Sequence, residues 1–198
     1  MMNIWHDIDP SYIEPQSFTA VIEIPKYSKK KYELDKHTGL LRLDRILSSA
    51  TAYPQNYGFI PRTYADDNDP LDVLVLCSEI LDPNVMVQCY PVGVVRMIDD
   101  GDADDKIIAI AERDPTWNYY QEYKDLPPHI GAEIANFFEI YKQLEGRKTA
   151  TSDVLDRETA ARIIEECMDR YDRHFCGKRP SKENKKKEKK LKGQEKAD

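Results

Sequence analysis

The sequence predicts an α+β chain that is mainly β: a compact barrel or curled sheet with two helices packed against it. Three observations predict this. Short Val- and Ile-rich runs recur between residues 18 and 111. Pro and Asp/Gly turns such as "LDPN" and "DDGD" punctuate them. Two amphipathic segments follow near the C-terminus, and strands followed by helices favour a curled sheet backed by helices.

The first strand signals are "FTAVIEIP" and "KYELD", short and partly alternating. "ATAYPQNYGFIP" reads as a loop stiffened by Pro54 and Pro61. "DVLVLC", "VMVQCYPVGVVRMI" and "KIIAIA" read as further strands. In "LPPHIGAEIANFFEIYKQLEG", three- and four-residue steps predict one buried face of Ile130, Ile134, Phe137, Phe138, Tyr141 and Leu144, stopped at Gly146. In "LDRETAARIIEECMDRYDRHF" the face is Ala160, Ile163, Ile164, Cys167, Met168, Tyr171 and Phe175, with Asp153 or Asp156 as N-cap. No repeat or internal linker divides the chain. The expectation is one domain over residues 1–177 and a flexible Lys-rich tail over 178–198.

The chain has 198 residues, 40% hydrophobic and 33% charged, enough for one domain with a proper core. No run of about 18 apolar residues exists, so no membrane-spanning helix is expected. The N-terminus has neither the basic region nor the apolar segment of a secretory signal. Cys77, Cys89, Cys167 and Cys176 form no CxxC pair, and Cys77 and Cys89 fall in apolar runs. A reduced, cytoplasmic setting follows as the expectation. His6, His37, His129 and His174 are scattered, which argues against a zinc site.

The net charge of −7 is uneven. The Lys-rich tail carries a local +6 and leaves the body at −13. Such a body repels nucleic acid and membranes unless cations mediate the contact. The tail alone suits a weak polyanion contact.

Two acidic turns dominate the rest. In "ADDNDPLDVLVLC", Asp66, Asp67, Asp69 and Asp72 precede a buried strand. Asp67 and Asp69 share a face if the segment is extended, and Pro70 then turns Asp72 back toward Asp67. "MIDDGDADDKIIAI" repeats the grammar with Asp99, Asp100, Asp102, Asp104 and Asp105. Two such turns at one end of a barrel would make an oxygen-only cage suited to Mg²⁺. A calcium loop of EF-hand type fits neither register: the sixth and twelfth positions are Asp72 and Ser78, or Asp105 and Ala111. Glu23 interrupts an apolar strand, and Lys31 and Glu33 share one strand face. Arg45 and Lys106 each stand beside an acid and an apolar run, while Tyr53, Tyr57 and Tyr141 suit packing and Lys142 follows Tyr141.

With these residues in place, the chain resembles the soluble, Mg²⁺-dependent inorganic pyrophosphatases of family I. The signature Asp-x-Asp-Pro-x-Asp before an apolar strand stands here as "DNDPLDVLV". It is joined in order by "VIEIP", "KYELD", "LDRI", "YPQNYGFIP", "PVGVVRMIDD", "DDKIIAI" and "FFEIYKQLE", from about Phe18 to Lys148. The resemblance implies a five-stranded, closed, OB-like barrel with flanking helices. It implies hydrolysis of pyrophosphate to two phosphates by in-line attack of a metal-bridging hydroxide.

Position by position, the resemblance implies metal ligands at Asp67, Asp72, Asp99 and Asp104, with Asp69 taking the proton of the attacking water. Glu23 and Glu33 would orient waters around the metals. Lys31, Arg45, Tyr57, Lys106, Tyr141 and Lys142 would grip the phosphates, with Tyr53 near the site. Several Mg²⁺ per site are implied, with Mn²⁺ or Co²⁺ as substitutes and Ca²⁺ inhibitory. A homo-oligomer, a hexamer above all, is expected. The competing readings are an OB-type binding module for polyanions, a structural calcium-binding protein and a phosphohydrolase of broader specificity.

Overall fold

A computed structural model describes residues 3–99, 102–147 and 149–177; at 98, 99, 102, 103, 150, 152 and 153 the backbone alone is described. In chain order the strands are β1 (Ile13–Glu14), β2 (Ser17–Ile24), β3 (Lys30–Leu34), β4 (Leu41–Ile46), β5 (Asn56–Ile60), β6 (Leu71–Leu76), β7 (Met86–Asp99), β8 (Asp102–Ala103), β9 (Lys106–Ala111) and β10 (Thr149–Leu155). The helices are α1 (Pro128–Ile140) and α2 (Arg157–Phe175). The Lys-rich segment 178–198 lies outside the described residues.

Five strands close into a ring. β2 pairs with β5, β5 with β6, β6 with β9, β9 with β7, and β7 returns to β2. The β6–β9 pair is parallel and the other four are antiparallel. Closure requires bending, and the register shifts between Ile22 and Ile24 and between Pro91 and Gly93 supply it. Gly58 sits where β5 crosses closest to β2: a Cβ there would lie 1.9 Å from the Val21 carbonyl oxygen. The expected OB-like barrel is therefore present. β3 and β4 form a separate two-stranded hairpin, and β10 extends the sheet beside β7.

The barrel strands are covered on both faces, so their sequences run apolar without alternating. Val73, Val75, Ile107 and Ala109 join one buried cluster with Ala160, Ile163, Ile164 and Cys167 of α2. Leu74, Leu76, Ile108 and Ile110 join a second with Ile134, Phe137 and Phe138 of α1. Asp72 and Lys106 fall on the parity of the second set. That places them on the α1 side of the sheet.

Several expectations are corrected. "YPQNYGFIP" is not simply a loop: Asn56–Ile60 is a central, wholly buried strand, and Tyr57 lies on it. The stripe of the first helix overruns. α1 ends at Ile140, a 3₁₀ turn covers Gln143–Glu145, and Leu144 is exposed. The tighter turn rotates Leu144 away from the α1 face. Gly146 does close this segment, at φ 73°. The second helix starts at an Asp156 N-cap, whose carboxylate accepts from the Thr159 amide at 2.8 Å. Phe175 at its far end is partly exposed rather than buried.

Candidate active site

The parallel pairing of β6 with β9 builds the site. It sets Asp72 opposite Lys106 in the register. The two acidic lead-ins, one before each strand, therefore arrive at the same end of the barrel. A cavity of about 460 Å³ opens there. Asp67, Asp69, Asp72, Asp104 and Lys106 line it from these lead-ins. β2 contributes Glu23, and β3 contributes Lys31 and Glu33. Tyr53 and Tyr57 come from β5 and the turn before it, and Tyr141 and Lys142 from the end of α1.

Lys106 is the centre of charge. Its side chain is 4% exposed, and its ammonium pairs with both Asp72 and Asp104. Burial alone would lower its pKa, but the two carboxylates overcome that and hold it above the ordinary lysine value. Glu23 is buried, with Oε1 accepting from the Leu34 amide at 2.9 Å. Desolvation, then the nearby charge of Asp72, pushes its pKa well above the usual carboxylate range. Burial similarly raises Asp67. Burial and the charge of Asp72 keep the Tyr57 phenol protonated, and burial does the same for Tyr53.

The acidic turn departs from the expected extended form. Asn68 adopts a left-handed φ of 67°, and the Asp69 amide donates to Asp67 Oδ1 at 3.0 Å. Asn tolerates this conformation, so the segment folds back on itself. Both carboxylates still line the cavity.

Two expected residues stand differently. Arg45 is absent from the cavity lining: its Nε bonds Glu145 at 3.0 Å and its Nη1 bonds Asp44 at 2.6 Å. Among the described residues its Nη2 is buried without a partner. Asp99 is placed by its backbone, paired with Asp102 at the β7–β8 turn, and its side chain lies outside the described residues. Asp66 is turned away and pairs with Arg170 of α2.

Lys36 and Arg42 also line the cavity and were missed from the sequence. The only sequence signal was the alternation in "KKYELD" and "LLRLDRI", which becomes legible once β3 and β4 pair Glu33 with Arg42 and Lys31 with Arg45.

The family model described as "Inorganic pyrophosphatase" matches residues 20–172. The chain belongs to the inorganic pyrophosphatase family. Soluble inorganic pyrophosphatase 1 of Arabidopsis thaliana is 48% identical over 167 residues, covering 84% of this chain and 79% of that protein. Soluble inorganic pyrophosphatase PPA1 of Solanum tuberosum is 50% identical over the same length and coverage. The crystal structure of inorganic pyrophosphatase from Thermus thermophilus superposes with a TM-score of 0.82 at 37% identity, covering 86% of this chain and 99% of that one. That of Helicobacter pylori gives 0.77 at 39%, covering 80% and 95%.

Glu23 is a buried acid with a raised pKa, so its ionisation destabilises the fold. The folded value lies above the unfolded one, so its contribution is intact below the ordinary value of 4.5 and is lost as pH rises through the folded value. Glu23→Gln, which keeps the acceptor for Leu34, should match the wild type in metal-free stability near pH 4 and exceed it near pH 8. Urea denaturation in EDTA at both pH values measures this. An equal gap at both would show that Glu23 carries no desolvation penalty.

Proposed function

We propose that this chain hydrolyses inorganic pyrophosphate to two orthophosphates with Mg²⁺. The observation that carries the reading is Lys106, a buried ammonium shared by two carboxylates in a cavity lined with both signs of charge. A small, multiply charged anion needs that mixture. Carboxylates bind cations, and cations with lysines bind the anion.

The donor set fits hard divalent ions. It is all oxygen, and Asp72 and Asp104 already gather about a single cation, the Lys106 ammonium. Among the described residues, no three acidic, His or Cys side chains converge into a ready coordination sphere. Carboxylates without a counterion repel, so Lys106 holds two of them and the third stands off. Asp67, Asp72 and Asp104, with Asp99, would hold the ions. When bound, Mg²⁺ lowers the pKa of an attacking water and neutralises phosphate charge.

The chain's own groups supply the rest. Asp69 accepts the proton of the attacking water, which frees the oxygen for in-line attack on phosphorus. Lys31, Lys106 and Lys142 offset charge on the phosphates, and the Tyr57 and Tyr141 hydroxyls donate hydrogen bonds. Arg45, expected for the same task, is instead held by Asp44 and Glu145 outside the cavity lining. Glu23 and Glu33 orient water, and Tyr53 packs beside Tyr57 with ring centroids 5.1 Å apart. Assembly as a homo-oligomer, a hexamer above all, belongs to the same proposal, as does a cytoplasmic setting. The free state of the four cysteines supports the latter, and exposed Leu43 and Ile46 on β4 suit a covered surface.

Phosphate release from pyrophosphate tests the reading. Release should require Mg²⁺, vanish with EDTA, and fail with Ca²⁺, whose longer and looser coordination suits binding rather than turnover. No release with Mg²⁺ would overturn the proposal. Equal turnover of nucleoside triphosphates would favour the broader phosphohydrolase. Light scattering on the eluted protein checks the assembly.

A further inference from the structure

We propose that Lys36 is a positioning residue that aims the Asp69 carboxylate into the cavity. The inference rests on the reading of Asp69 as the proton acceptor.

Three segments meet at Lys36. Its backbone is held in the β3–β4 turn, where Asp35 Oδ1 accepts from the amides of His37 at 3.1 Å and Thr38 at 2.9 Å. Gly39, at φ 71°, donates to the Asp35 carbonyl at 2.8 Å and completes the turn. The Lys36 carbonyl accepts from Asn3 Nδ2 at 3.0 Å, which ties in the N-terminal segment. Its ammonium lies 6.0 Å from the centroid of Trp5, itself anchored by Nε1 donating to the Thr63 carbonyl at 2.9 Å.

From that base Lys36 reaches the acidic turn. Its Nζ donates to the Asn68 carbonyl at 3.0 Å and pairs with Asp69 Oδ1. The turn's other groups are fixed without it. Tyr64 Oη donates to Asn68 Oδ1 at 2.6 Å, the Ala65 amide to the Asp69 carbonyl at 2.8 Å, and the Asp69 amide to Asp67 Oδ1. These bonds fix the Asp69 backbone and leave its side chain free to rotate. Among the described contacts, Lys36 is what fixes the carboxylate.

The exposure of the pair decides between a structural and a functional role. The Lys36 and Asp69 side chains are 42% and 49% exposed. An ion pair so open adds little to stability. Direction is different, since misplacing a reacting group by about 1 Å can cost on the order of 10²-fold in rate.

The full chain with saturating Mg²⁺ and pyrophosphate provides the test. Lys36→Met should lower kcat about tenfold or more, with KM and melting temperature nearly unchanged, and Lys36→Arg should recover much of the loss. In an Asp69→Asn background, Lys36→Met should add no further loss, because its effect passes through Asp69. Wild-type kcat in Lys36→Met beside a crippled Asp69→Asn would overturn the role of Lys36 and leave Asp69 standing. Wild-type turnover in Asp69→Asn would remove both. A loss that persists in the Asp69→Asn background would place Lys36 on the substrate instead. A large fall in melting temperature for both Lys36→Met and Lys36→Gln would make it a structural tie.

Discussion

Asp69→Asn should lower pyrophosphate turnover by about 10²–10⁴-fold, the usual contribution of a positioned base, with fold and Mg²⁺ binding largely kept. The amide keeps the shape of the carboxylate but has little basicity. The turn does not depend on the side chain, because Asp69 is held there by its own amide and carbonyl. The remaining acids would still attract the cation. Steady-state phosphate release, run beside a Mg²⁺ titration by calorimetry and a thermal melt, separates the three properties. Turnover like that of the wild type would remove Asp69 from the reaction.

Lys106→Met should show the largest effect on the metal-free fold. The substitution fits the buried stem but deletes the charge that Asp72 and Asp104 share. Removing one partner of a buried ion pair costs roughly 3–5 kcal/mol. The two acids retain some solvent, at 22% and 17% side-chain exposure, which favours the lower end of that range. Mg²⁺ should restore more stability to the variant than to the wild type, since the vacated carboxylates become available to it. Turnover should still fall about 10²–10³-fold for want of the phosphate contact. Urea melts with EDTA and with Mg²⁺ check the first two statements. A variant as stable as the wild type in EDTA would show that Lys106 is not the counterion of this pair.

The legible parts of the fold were those where local pattern and burial agree. "KIIAIA" coincides with β9, and Asp156 caps α2 as a short acid before an apolar stripe should. "YPQNYGFIP" reads as a loop because Pro54 and Pro61 bracket it; the close approach of Val21 is what demands Gly58 in a strand. β10 was missed because "TATSDVL" is polar and follows a helix, and the long β7 strand is what recruits it.

The site divides in the same way. The aspartates could be found because acids at the mouth of an apolar run are conspicuous. Lys36 and Arg42 could not, because a lone cation on a polar hairpin looks like surface until the hairpin's partner is known. Arg45 was found but stands apart from the cavity, bound to Asp44 and Glu145.

The parallel junction of β6 and β9 carries a consequence for how the chain reaches activity. Asp72 and Lys106 lie 34 positions apart and meet only when the intervening hairpin has wrapped around. No early, local fragment can therefore hold both halves of the centre. The buried Lys106 pairing with Asp72 and Asp104 therefore belongs to the finished barrel and to no shorter piece of it.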